Sequence, residues 1–189
     1  MNDRRYLGAA GFVACWILLT LSGCSAQELE ARDFVSVLTV PDGDTESLLA
    51  ERQKTSTCTL DYSHTKAVIL DTTLTQNPEQ LDNVLETLLS RPEFAWNLLV
   101  FTGDEETLRR ADEKKEKLGL ELAAYYKNHA AGEESGELVP VTLLDLWNWR
   151  TGSGEELSLP VLSWQEDNLI PEGVLMIESP CSFPKRDLQ

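Results

Sequence analysis

Three short apolar runs, residues 34–40 (FVSVLTV), 66–71 (KAVILD) and 97–102 (NLLVFT), alternate with helix-patterned stretches, and this alternation limits the fold more than any other feature. Short runs rich in β-branched and aromatic residues suit strands buried in a sheet. After the first, Pro41-Asp42-Gly43-Asp44 has turn chemistry, and Asp44 or Thr45 can cap a short helix over residues 47–54. After the second, Asn77 stands as a helix N-cap with Pro78 at the first helical position. Leu81, Val84, Leu85, Leu88 and Leu89 then recur at helical spacing up to the stop at Pro92. A further helix begins at Glu105. Its acid-first pairs, Glu105 with Arg109, Glu106 with Arg110 and Glu113 with Lys117, predict a solvated face. Residues 118–128 and 141–149 also read as helices, and residues 159–164 and 173–177 as a closing hairpin. The expected class is α/β or α+β, a single domain with a mixed β-sheet and packed helices.

The N-terminus carries an address. Arg4 and Arg5 precede an uncharged, mostly apolar run over residues 7–21, too short to span a bilayer comfortably. Leu21-Ser22-Gly23-Cys24 ends that run with the small-residue pattern of a bacterial lipobox, which predicts a lipoprotein signal peptide over residues 1–23 and acylation of Cys24. A tether over residues 24–33, a globular domain over 34–178 and a tail over 179–189 complete the expected organisation. The chain has 32 acidic against 16 Lys and Arg residues, a formal charge of −16. That balance excludes a nucleic-acid binder, which needs clustered cations on one face. It also leaves attachment to the membrane to acyl chains, because anionic headgroups repel such a surface.

Of four cysteines, Cys15 lies in the leader and Cys24 is the expected anchor. Cys58 and Cys181 remain, and an extracytoplasmic compartment allows either a single disulfide between them or two unpaired thiols. No Cys/His spacing suggests a metal site. Ser63-His64 lacks a nucleophile elbow, and adjacent residues of an extended segment face opposite sides. His129 follows a helix end, where capping is its expected role. Asp42, Asp44 and Glu46 alternate like the start of a calcium loop, but Ser47 and Gln53 occupy the positions that need Gly and Glu. Gly152-Ser153-Gly154 lacks the third glycine of a dinucleotide fingerprint. The chain therefore offers no catalytic set and no cofactor motif, and a non-enzymatic role is expected. Trp96, Trp147, Trp149 and Trp164 are the residues suited to a core or an interface. Trp147 and Trp149, two apart, cannot share a helix face and are the interface candidates.

Several of these segments carry a family resemblance. Cys24 with Glu28-Leu29 and residues 34–40, residues 60–70 (LDYSHTKAVIL), 85–93 (LETLLSRPE), 120–128, 139–147 (VPVTLLDLW), Leu159-Pro160-Val161 and 171–177 (PEGVLMI) follow one another in order. Together they resemble the N-terminal domain of the Ger(x)C family of spore germination lipoproteins, the C-subunits of nutrient germinant receptors. Ser25-Ala26 stand where the family usually has Trp-Asp, and the family continues into further C-terminal domains where this sequence stops at Gln189. The resemblance implies a lipid-anchored subunit on the extracytoplasmic face of the cell membrane, in the spore inner membrane. It implies contacts with membrane-embedded germinant receptor subunits and no chemistry of its own. The alternative is an envelope lipoprotein that binds a small solute.

Overall fold

Strands buried on both faces must be apolar throughout, and residues 37–40 (VLTV) and 67–70 (AVIL) are buried at every position. A computed structural model describes residues 32–129, 138–152, 156–166 and 168–177. Its strands are β1 (Arg32–Phe34), β2 (Val37–Val40), β3 (Thr59–Asp61), β4 (Ala67–Asp71), β5 (Leu99–Gly103), β6 (Leu157–Gln165) and β7 (Asn168–Ile177). Its helices are α1 (Thr45–Thr55), α2 (Pro78–Ser90), α3 (Glu105–Glu113), α4 (Leu118–His129) and α5 (Leu143–Thr151). The central sheet has the order β2-β4-β5-β6-β7, parallel from β2 to β6 and antiparallel at β7. β1 and β3 form a separate two-stranded sheet.

Side-chain alternation divides the core into two layers. Leu38, Val40, Val68, Leu70 and Val100 pack with Leu49 of α1, Leu81, Val84, Leu85 and Leu88 of α2, and Leu143, Leu146 and Trp149 of α5. Val37, Ala67, Ile69 and Phe101 pack with Leu108 and Ala111 of α3 and Leu118, Leu122 and Tyr126 of α4. Helices thus cover both faces of a mixed sheet in a single α+β domain, as parallel strands joined by helical crossovers require.

Local chemistry sets the helix ends. Asn77 Oδ1 accepts from Gln80 N at 3.2 Å with Pro78 in the first turn, and Arg91, the residue before Pro92, is extended at ψ 122°. Asp44 caps α1 through Ser47 N at 3.1 Å, and Asp104 caps α3 through Thr107 N at 2.8 Å. Asn77→Ala is expected to cost about 1 kcal/mol, or about 2–4 °C in Tm, on a circular-dichroism melt. An unchanged Tm would show that the cap contributes nothing.

Three expectations are corrected. Residues 34–40 do not make one strand: the chain leaves β1 after Phe34 and enters β2 at Val37. Ser36 causes the break, because its Oγ donates to Lys115 O at 2.8 Å and accepts from Gly119 N at 3.0 Å, while its backbone N–H donates to Lys115 O at 2.9 Å. The last long helix starts at Leu143, not Val141. Val141 O accepts from Val100 N at 2.8 Å beside the sheet, and Thr142 caps the helix in a capping box with Asp145. Ser63-His64 occupies a turn, not an extended segment.

β2 is one edge of the central sheet. Unpaired edge groups invite association with another chain, and here Arg52 of α1 caps one of them, the Thr39 carbonyl. Its Nη2 donates to Thr39 O at 3.2 Å, to Thr39 Oγ1, and to Asp112 Oδ2 at 2.9 Å, while Thr39 Oγ1 donates to Asp112 Oδ1 at 2.7 Å. Helices from opposite faces are thereby tied around one sheet edge.

Candidate interaction surface

Polar groups of the types that carry chemistry are occupied with local structure. Asp61 Oδ1 accepts from both Ser63 N at 2.9 Å and Ser63 Oγ at 2.6 Å, and the His64 ring stands edge-on to Phe34 at 4.9 Å. The Ser63 hydroxyl is therefore directed to a carboxylate in its own turn, with no bond to His64. Asp42 Oδ1 accepts from Asp44 N at 3.0 Å, so Asp42 and Asp44 build a turn and a cap. Among the described residues no group of three or more His, Cys, Asp or Glu side chains is arranged to hold a metal ion. Cys58 is half-buried and bonded to no cysteine among the described residues, while Cys24 and Cys181 lie outside them.

The exposed face of α3 is an ion-pair lattice. Glu106 accepts from Arg109 and Arg110, which together pull its carboxyl down to about 2. Arg109 also pairs with Glu113. The expected Glu106–Arg110 pair forms, but α3 ends at Glu113, so Glu113 turns back to Arg109 and not on to Lys117. Such exposed pairs contribute little stability. Arg110 and Lys114 lie over the Trp164 ring at 4.9 and 5.0 Å from its centroid, which assigns two basic residues and one tryptophan to packing between α3 and β6.

The two tryptophans of α5 part company. Trp149 is 8% exposed and belongs to the core, with its indole N–H unpartnered, whereas Trp147 is half-buried against the edge of the same core. Leu144 lies one turn before Trp147 and is exposed. Leu144 N donates to Trp96 O at 3.0 Å, which brings in Trp96, the most exposed tryptophan of the described residues at 51%. Trp96, Leu144 and Trp147 form a candidate apolar ridge, linked by that backbone bond and by one helical turn, over a well-anchored base. Arg150 of α5 grips Asp82 of α2 with two parallel bonds, one of 2.6 Å, and Leu143 and Leu146 are fully buried. The helical spacing includes Leu144 among the apolar residues of this helix but does not mark it as an interface candidate; the structure places it at the surface beside buried Leu143.

Residues 23–163 match the family model described as the spore germination protein N-terminal domain. The chain belongs to the Ger(x)C family of spore germination proteins. The match covers most of the chain and runs from the residue before Cys24 into β6, leaving β7 beyond it. No curated protein and no solved structure matches the chain. Within this germination domain the ridge, the α3 face and the protected β2 edge all fall in the matched span. No helix among its described residues is long and apolar enough to cross a membrane.

Proposed function

We propose that this germination protein is a non-enzymatic, lipid-anchored subunit of a nutrient germinant receptor, working through contacts with the receptor's membrane-embedded subunits. The family match over residues 23–163 carries this reading. Cys24 is the anchor: residues 1–23 direct export and are removed, the Cys24 thiol takes a thioether-linked diacylglyceryl group, and the residues between Cys24 and β1 link the domain to the membrane surface. With 32 acidic against 16 Lys and Arg residues in the whole chain, the protein gains nothing from anionic headgroups, so the acyl chains hold it. Trp96, Leu144 and Trp147 form the docking ridge, since large aromatic and aliphatic side chains on a fixed base make interface anchors.

Membrane fractionation with and without the anchor is the test. Cys24→Ala is expected to move the protein out of the spore membrane fraction and to slow nutrient-triggered germination, with its melting profile unchanged. Retention of Cys24→Ala in the membrane fraction with normal germination would contradict the anchoring role.

A further inference from the structure

A cavity of about 200 Å³ opens beside the protected edge of β2, between the end of α1, the segment after β3 and the end of α3. Its polar lining has more donors than acceptors. Arg52 spends only Nη2 on Thr39 and Asp112, so its Nη1 and Nε have no hydrogen-bond partner among the described residues. Lys115 Nζ likewise has none there. The Tyr62 hydroxyl is buried and unpartnered, on a residue only 8% exposed. Its phenol is pushed up by burial, which keeps it a neutral O–H donor at ordinary pH. The one lining carboxylate, Asp112, already accepts at both oxygens, from Thr39 Oγ1 and Arg52 Nη2.

Buried polar groups are nearly always partnered, so a buried phenol with no acceptor beside two cations with spare N–H groups marks a place for an acceptor-rich guest. Two cations against one occupied carboxylate give the cavity a positive balance in a chain whose formal charge is −16. Val35 and Leu60 supply an apolar wall. An apolar cavity of roughly 150 Å³ accommodates benzene, so this one has room for about six to nine non-hydrogen atoms. We propose that this cavity binds a small organic monocarboxylate, its carboxylate on Arg52, Lys115 and the Tyr62 hydroxyl and its short hydrocarbon part on Val35 and Leu60. This site is independent of the membrane anchor and of the docking ridge.

The test is a thermal-shift and calorimetric titration of the purified full chain in detergent, with butyrate, benzoate and inorganic phosphate at matched ionic strength. Butyrate or benzoate is expected to raise Tm saturably. Tyr62→Phe, which removes only the unpartnered hydroxyl, and Lys115→Met, which removes an ammonium without a partner, should both stay folded. Each should weaken carboxylate binding about tenfold or more, the effect of one charge-assisted hydrogen bond. Three results would overturn the proposal: no saturable response to either carboxylate, saturation by phosphate alone, or carboxylate affinities of Tyr62→Phe and Lys115→Met equal to those of the unaltered protein.

Discussion

Gly119→Ala should destabilise the domain by about 3 kcal/mol or more and lower Tm by about 6–12 °C, the opposite of what the same change does in an ordinary helix. An alanine is normally the better helix former by about 1 kcal/mol. Here a Cβ on Gly119 would lie 1.9 Å from Ser36 O and 2.5 Å from Ser36 C, and both are backbone atoms that cannot swing aside. Relief requires moving the start of α4 away from the break between β1 and β2, which also pulls Gly119 N from Ser36 Oγ. The neighbouring Leu120→Ala, at an exposed position, is the control and should leave Tm nearly unchanged. A Gly119→Ala melt at or above that of the unaltered protein would mean that α4 does not approach Ser36 this closely.

Phe101→Ala should cost about 3–5 kcal/mol, enough to lower Tm by about 10 °C or more. Phe101 sits in the middle of β5, fully buried and paired in register with Ile69 of β4. Its ring stacks on Tyr126 of α4 at 5.9 Å with an interplanar angle of 22°. Burial holds the Tyr126 phenol well above the ordinary tyrosine range, and its hydroxyl has no partner. Tyr126→Phe, by contrast, deletes only an unsatisfied hydroxyl and is expected to be neutral or slightly stabilising. A Phe101→Ala protein with unchanged Tm would contradict the layered core.

Much of this architecture is written in local sequence. Residues 67–70 and 99–101 are apolar because both of their faces are covered, and Asn77, Pro78 and Pro92 fix α2 to within a residue of the expected ends. The break at Ser36 was invisible, since its cause is a hydrogen bond to Lys115 and Gly119 more than 75 positions away and its neighbours keep the apolar pattern of a continuous strand. Val141 misled for the same reason: an apolar residue one position before a helix cap satisfies helical spacing while its carbonyl serves a strand. The ridge was half legible. Trp147 stands out by its type, but which of Trp147 and Trp149 faces outward depends on the face that α5 lays on the sheet, and Trp96 joins only through the backbone bond from Leu144. The cavity beside Tyr62 could not be read at all, because α1, the segment after β3 and the end of α3 are far apart in the chain.

Docking of the ridge onto membrane-embedded receptor subunits, as proposed, predicts that the contact is lost when its exposed side chains are replaced. Affinity purification of the tagged chain from mildly crosslinked spore membranes, followed by mass spectrometry, tests it most directly when run beside a Trp96→Asp/Leu144→Asp double variant. Both positions are exposed, so the variant should fold and remain in the membrane fraction. Recovery of multi-span receptor subunits with the unaltered chain, and their loss from the folded double variant, is the predicted result. Purification of the chain without those subunits, from membranes that contain them, would contradict the docking role.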